Sequence, residues 1–344
     1  MKLTRIEITD FRGIDHLELD LTDPSGAPLD LVVLAGDNGC GKTAVLEAVL
    51  LALGQVEVLA QTTRLERSQT RIGAAGGFSI DVTASLSERD CYLMGVAKGN
   101  ERFAFGIEQN QWLRTKFFNQ RSWNVIGTWE AVARLGHFIT YMPARRPVAW
   151  SGPLGPSLTT FGPAHEPDVV SRLGFFMQRL VDEKFGSMLD NTESKEIDRV
   201  AERIERAWQF LHGQEVKLDF MSDAESSADG VRKGFSVCLR YDGTAMPIEC
   251  LSDGELELFL MVGWLALNDH AGGLVLIDEP EQHLHVQWQR FILRALRDVA
   301  PEAQFLVATH SQEVLDSVLN SQRFYLLPAD DPRLRRPQPM LDEP

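Results

Sequence analysis

The chain has 344 residues, a size suited to one large or two ordinary domains. Its formal net charge of −15 argues against a surface coated with basic side chains, and against tight DNA binding by this chain alone. Four cysteines (Cys40, Cys91, Cys238, Cys250) are scattered with no C-x-x-C pair, which argues against a disulfide framework or a zinc ribbon.

Met1-Lys2-Leu3-Thr4-Arg5 leads straight into an alternating strand, so no signal peptide is expected. No apolar run reaches spanning length, and the expected location is cytoplasmic, away from the membrane. Leu31-Val32-Val33-Leu34-Ala35 has the pattern of a strand buried on both faces. Gly36-Asp37-Asn38-Gly39-Cys40-Gly41-Lys42-Thr43 follows and fits G-x-x-x-x-G-K-[ST], the phosphate-binding loop. Gly36, Asn38, Gly39, Cys40 and Gly41 offer backbone amides that can ring a β-phosphate. Lys42 supplies a point charge to the β/γ oxygens, and the Thr43 hydroxyl is a ligand for Mg²⁺. A helix is predicted over Ala44 to Leu53, apolar almost throughout, with Glu47 as its one charge and Gly54 at its close. Strand, loop and helix in that order point the free N–H groups and positive end of the helix at an anion. The substrate class is therefore a nucleoside triphosphate with Mg²⁺.

The middle of the chain is less regular. Phe78 to Leu86 alternates as a strand, residues 88–165 read as irregular and aromatic, and Gly136 to Pro143 reads as a returning strand. Residues 111–150 carry Arg114, Lys116, Arg121, Arg134, Arg145 and Arg146 against Glu130 alone, with Trp112, Phe117, Phe118 and Trp123 interleaved. Such a mixture suits single-stranded nucleic acid; a partner-binding or ordinary folded insertion explains it as well. After the Pro/Gly-rich stretch 147–167, a helical hairpin is predicted. One arm runs from about Asp168 to Leu189, and Asp190-Asn191 makes the turn. The second arm runs from about Thr192 to Leu211, with Ile197, Val200, Ile204, Ala207, Trp208 and Leu211 at helical spacing. Each arm would be only ~30 Å long at ~1.5 Å per residue. Val216 to Phe220 and Phe235 to Tyr241 read as strands joined by a polar loop, Ser222 to Gly230, and Asp242-Gly243 is a tight turn.

Leu251-Ser252-Asp253-Gly254-Glu255 stands directly before an apolar helix, Leu256 to Leu267. A serine there is a good N-cap; the same geometry also turns a hydroxyl, backbone N–H groups and a helix dipole towards an anion. Leu274 to Ile277 is an apolar run ending in Asp278 and Glu279. Asp278 completes the metal site begun by Thr43, and Glu279 is placed to polarise the attacking water. His283 and His285 follow, at a spacing that suits neither one helix face nor a zinc motif. Phe305 to Thr309 is a second apolar strand, ending in His310.

Taken together these motifs resemble those of ABC-type ATPases. Leu251 to Glu255 is similar to the LSGGQ signature in Ser252 and Gly254, with Asp253 and Glu255 in place of a glycine and a glutamine. Ile6-Glu7-Ile8-Thr9-Asp10-Phe11-Arg12-Gly13-Ile14 resembles the opening of the RecF, SMC and OLD-type branch. Asp278-Glu279-Pro280-Glu281-Gln282-His283-Leu284-His285 with Gln289 resembles small AAA-type ATPases, many of which serve bacterial anti-phage systems such as Septu, PARIS or retrons beside a separate effector. The resemblance implies that Ser252 and Gly254 complete the nucleotide site of an opposite protomer. It further implies that His310 senses the γ-phosphate and that His283 to His285 form a loop crossing the dimer interface. Where the family carries a magnesium-sensing glutamine, this chain has Ala144-Arg145-Arg146.

The expectation is an α/β ABC-type P-loop ATPase head with a mixed central sheet, an antiparallel side sheet and an inserted helical lobe. Residues 1–87 and 213–328 would form the head, 88–212 the lobe with its hairpin at about 168–211, and 329–344 a flexible tail. The expected protein is a homodimer or higher oligomer that hydrolyses ATP and controls a separate effector, a toxin or nuclease. The alternative is a RecF-like repair ATPase that binds DNA. A transport ATPase is disfavoured by the N-terminal motif. With no Toprim-like acidic segment after His310, OLD-type nuclease activity is not expected.

Overall fold

The computed structural model describes residues 1–53, 55, 77–86, 100–108, 111–117, 139–144, 180, 195–227, 230–267 and 273–326. The chain divides into two compact units. The first comprises Met1–Tyr141, Leu274–Glu279 and Gln304–Pro344; the second comprises Met142–Gly273 and Pro280–Ala303.

The first unit opens with β1 (Lys2–Phe11) and β2 (Ile14–Asp20), an antiparallel pair in which Ile6 faces Leu19 and Ile8 faces Leu17. After β3 (Leu31–Ala35) and α1 (Lys42–Ala52), β4 (Gly77–Ser85) returns beside β1. β5 (Asn100–Glu108) and β6 (Gln111–Phe117) extend that sheet to the order β2-β1-β4-β5-β6. Leu3 and Ile6 both point into the core although three residues apart, which strict alternation forbids. A bulge between Leu3 and Arg5 absorbs the extra residue. β7 (Ile139–Met142) falls within the predicted returning strand.

β3 belongs to a second, central sheet. Its other members are β7 and three strands from later in the chain, β11 (Leu274–Asp278), β12 (Gln304–Thr309) and β13 (Arg323–Tyr325), in the order β13-β3-β12-β11-β7. The pairs β11–β12, β12–β3 and β13–β3 are parallel. All residues of β3, β11 and β12 are buried, as continuous apolar runs in a parallel sheet should be. α1 packs against strands of both sheets, which explains why it is apolar on nearly every face. The buried Gln304 side chain ties the layers together. It accepts from the Leu3 N–H at 2.6 Å and donates to the carbonyls of Leu3 and Leu29 at 2.9 and 2.7 Å.

In the second unit, α2 (Lys195–His212) corresponds to the second arm of the predicted hairpin, and its six periodic residues from Ile197 to Leu211 are all buried. The first arm lies outside the described residues, save Leu180, which is helical. β8 (Lys217–Ser227), β9 (Gly230–Tyr241) and β10 (Thr244–Pro247) form an antiparallel sheet. α3 (Asp253–Leu267) follows, then α4 (Val286–Gln289) and α5 (Ile292–Val299), while α6 (Gln312–Asp316) belongs to the first unit. Trp208 is fully buried, edge-on to Phe259 with centroids 6.4 Å apart, and its Nε1–H donates to the Tyr241 hydroxyl at 2.5 Å.

Two expectations need correction. Residues 100–108 and 111–117 are paired strands rather than irregular chain. The expected polar loop Ser222 to Gly230 is instead largely the end of a long hairpin, paired from Lys217↔Arg240 to Ser227↔Gly230. In both places the ladder hydrogen bonds of neighbouring strands outweigh a weak local propensity, which a single sequence cannot display. Of the basic and aromatic residues singled out, Trp112, Arg114, Lys116 and Phe117 lie on β6; Phe118, Arg121, Trp123, Arg134, Arg145 and Arg146 lie outside the described residues.

Candidate active site

At the carboxyl ends of β3, β11 and β12 the sheet presents Gly36, Asp278 and His310. Parallel pairing fixes this placement: Ile277 sits beside Val307, and Val307 beside Val33. The phosphate loop leaves β3 at Gly36, whose φ is +151°. A Cβ there would lie 2.6 Å from both Cys40 Sγ and the Leu326 carbonyl, so only glycine fits. Lys42, 7% exposed, curls back so that Nζ donates to the carbonyls of Gly36 and Asp37 at 2.8 and 3.0 Å. The ammonium is thereby held within the curve of the loop.

Thr43, the next residue, faces out of α1. Its hydroxyl donates to Asp278 Oδ2 at 2.8 Å, joining two residues far apart in sequence. Asp278 is 4% exposed. A hydroxyl and a carboxylate oxygen already at hydrogen-bonding distance are a hard, oxygen-only donor pair, and they fit a magnesium ion that keeps water and phosphate as its remaining ligands. The glycine loop at the helix start, with Lys42 inside it, likewise fits a nucleotide's phosphates.

Glu279 breaks from the strand. Its φ is +51°, a left-handed conformation that costs a residue with a Cβ about 1 kcal/mol. The turn is held by its own N–H, which donates to the Ala308 carbonyl at 2.8 Å. The effect is to bring Glu279 Oε1 within 3.5 Å of His310 Nδ1. Both side chains remain partly exposed, so a carboxylate and an imidazole stand together beside the Thr43–Asp278 pair's strand ends. Ser311, just after His310, caps α6 by accepting from the Val314 N–H at 3.3 Å.

One buried ion pair was not anticipated. Glu47 on α1 is fully buried, and its carboxylate pairs with Arg12 on the β1–β2 turn. Burial raises the Glu47 pKa to about 7; the Arg12 guanidinium opposes this, and the Asp278 carboxylate adds to it. The signal was available: a lone acid in an otherwise apolar helix calls for a counter-charge.

Ser252, Gly254, His283 and His285 lie in the second unit. Ser252 begins α3 in a capping box with Glu255. The carboxylate Oε2 accepts from the Ser252 N–H at 2.9 Å and from its hydroxyl at 2.7 Å, while the Glu255 N–H donates to Ser252 Oγ at 3.4 Å. Gly254 is buried against the His283 turn. A Cβ on it would come within 2.4 Å of the His283 carbonyl oxygen. His283 itself has φ +64°, and His285 Nδ1 caps α4 by accepting from the Gln287 N–H at 3.3 Å. Asn38, Gly39, Cys40 and Gly41 form the remainder of the loop before α1. Ala144 is the last described residue before the basic pair, and Arg145 and Arg146, which stand where the family carries its glutamine, lie outside the described residues.

Comparison with known proteins agrees with this geometry. A family described as "AAA domain, putative AbiEii toxin, Type IV TA system" matches residues 128–316, and one described as "AAA ATPase domain" matches residues 1–80. The "Retron Vc95 probable ATPase" of Vibrio cholerae serotype O1 biovar El Tor is 32% identical over 122 residues, 32% of this chain and 23% of that protein. "Septu protein PtuA" of Bacillus mycoides (strain KBAB4) is 22% identical over 334 residues, 94% of this chain and 40% of that protein. "DNA replication and repair protein RecF" of Rhizobium leguminosarum bv. trifolii (strain WSM2304) is 37% identical over 115 residues, 32% of this chain and 27% of RecF. The matches thus span less than half the length of each of these relatives. Among solved structures, the SMC head bound to the C-winged helix domain of ScpA has a TM-score of 0.60 at 14% identity, covering 92% of this chain and 93% of that one. The SMC head domain from Thermotoga maritima has a TM-score of 0.52 at 13% identity, covering 92% of both chains. At such identities the likeness establishes the fold: an SMC-type head. Because the first family match covers more than half of the sequence, the chain belongs to that family of AAA-domain ATPases, which is consistent with the resemblance to ABC-type ATPases of the RecF/SMC/OLD branch.

Proposed function

We propose that this protein is an ATP-hydrolysing dimeric switch that controls a separate effector, a toxin or nuclease, in anti-phage defence. The observation that carries the reading is the Thr43–Asp278 hydrogen bond at 2.8 Å, with Glu279 and His310 within 3.5 Å of each other on the adjoining strand ends. In this reading Lys42 and the amides of residues 36–41 hold the phosphates, and Thr43 and Asp278 hold Mg²⁺. Mg²⁺ held by Thr43 and Asp278 would supply positive charge against that of the phosphates. Glu279 accepts a hydrogen bond from the attacking water and orients it in line with the γ-phosphate. His310 contacts the γ-phosphate from the neighbouring strand. Ser252 and Gly254 engage the nucleotide of the second protomer, so that a single chain hydrolyses slowly and the dimer quickly. No helix among the described residues is long and apolar enough to cross a membrane.

The defence reading is supported by the retron and Septu relatives. Residues 88–212 are the proposed effector contact, because the ATPase motifs leave them unassigned. The second reading, a DNA-binding repair ATPase, is supported by the RecF relatives and by the basic, aromatic stretch 111–150. Lys42→Ala removes the charge that the loop encloses and should reduce ATP turnover at least a hundredfold. Unchanged turnover in the purified variant would sink the nucleotide assignment. Co-purification from the native host separates the two purposes: a stoichiometric protein partner supports the switch, and tight DNA binding at physiological salt supports the repair reading instead.

A further inference from the structure

In the capping box at the start of α3, the acceptor is a full carboxylate, and it takes both donors of Ser252, the hydroxyl at 2.7 Å and the N–H at 2.9 Å. A hydroxyl proton donated to Glu255 is not available to any other acceptor. Hydrogen bonds to an ionised acceptor are about twice as strong as those between neutral groups, so this one is not surrendered lightly. A phosphate arriving at the same helix start would meet both the occupied hydroxyl and a like charge.

The surroundings of Glu255 offer the carboxylate somewhere to go. His212 ends α2, stacked on Trp208 with centroids 4.5 Å apart and planes 6° from parallel, and tilted against Trp288 at 4.4 Å. Its Nε2 is buried with no hydrogen-bond partner. Burial lowers the His212 pKa, and Glu255 is the charged group that opposes the shift. With its proton on Nε2, this imidazole would be a donor for that acid.

We infer that Glu255 is a positioning residue that holds Ser252 in a self-capped state, and that Ser252 engages a nucleotide only once the carboxylate releases it. This rests on the reading that Ser252 contacts the γ-phosphate of the second protomer. The carboxylate competes with the γ-phosphate for one hydroxyl. It therefore sets how much ATP is needed to close the dimer, without touching the phosphate loop that binds the nucleotide first. Glu255→Gln retains an acceptor oxygen, and with it the cap, but removes the charge.

The test uses the full chain and separates KM from kcat in ATP turnover, with ADP affinity measured by calorimetry as a probe of the phosphate loop alone. Glu255→Gln should lower KM for ATP about tenfold, the difference between a charged and a neutral acceptor, and leave ADP affinity unchanged. Glu255→Asp, whose shorter stem keeps the charge but loosens the grip, should move KM in the same direction by less, and it serves as the measurement should the Gln variant fold poorly. Ser252→Ala should lower kcat/KM at least tenfold, and adding Glu255→Gln to it should change nothing further. If neither Glu255 variant lowers KM, or if the Gln shift persists on the Ser252→Ala background, the inference is wrong. If Ser252→Ala leaves turnover intact, the reading of Ser252 as a nucleotide contact fails first, and the two failures are told apart.

Discussion

Replacing Glu47 by glutamine isolates the cost of a buried charge behind the phosphate loop. The carboxyl is fully buried, and its pKa stands at about 7 against an ordinary 4.5. The native state therefore holds a proton on Glu47 across this interval that the unfolded chain gives up. By linkage, Glu47 favours folding below about 4.5, and that contribution is lost as pH rises through about 7. From 4.5 to about 7, at about 1.4 kcal/mol per pH unit, the loss amounts to ~3 kcal/mol. Arg12 does not cancel it, because the pair's attraction is already included in the raised value. Below about pH 7 Glu47 is neutral and glutamine matches it, whereas above that pH the variant lacks the ionised partner of Arg12, so the informative quantity is the difference between the two proteins as pH changes. Thermal melting and chemical denaturation at pH 5, 6, 7 and 8 should show the variant gaining on the parent by several degrees in Tm, with nearly all of the gain complete by pH 8. Parallel curves for the two proteins would mean that Glu47 is ionised throughout and that the buried ion pair balances its own desolvation.

Two further outcomes test the site. Glu279→Gln keeps the left-handed turn and the 3.5 Å neighbourhood of His310 but removes the carboxylate proposed as general base. Turnover should fall at least a hundredfold while ATP binding persists and the ATP-dependent dimer lengthens its life, read by light scattering; loss of ATP binding would contradict the role. Gly254→Ala puts a methyl within 2.4 Å of the His283 carbonyl, where the neighbour is backbone and cannot swing aside. The expected cost is about 1–3 kcal/mol of stability, with turnover reduced beyond what unfolding explains, and a variant as stable and as active as the parent would show that this turn readily gives way.

The sequence alone was enough for the strand, glycine loop and helix from Leu31 to Ala52, because that order is local. A glycine loop, a lysine and a threonine must sit between a buried strand and a helix start, and Leu31 to Leu53 spells out that order. The apolar runs of β11 and β12 and their terminal Asp278 and His310 were legible for the same reason, since a strand buried on both faces has no polar residue until it ends. The tertiary structure decided what depends on residues distant in sequence. Only folding joins Thr43 to Asp278, and only the parallel register of β11 and β12 sets Glu279 beside His310. The left-handed backbone of Glu279 has no sequence mark, because propensity disfavours it and the Ala308 carbonyl enforces it. β5, β6 and the outer part of the β8–β9 hairpin, read as a loop over Ser222 to Gly230, were missed because a strand's stability resides in its partners rather than in its own residues. Glu47 was visible as an odd acid in an apolar helix, but its partner, Arg12, comes from the turn of the β1–β2 hairpin, which only packing brings onto α1.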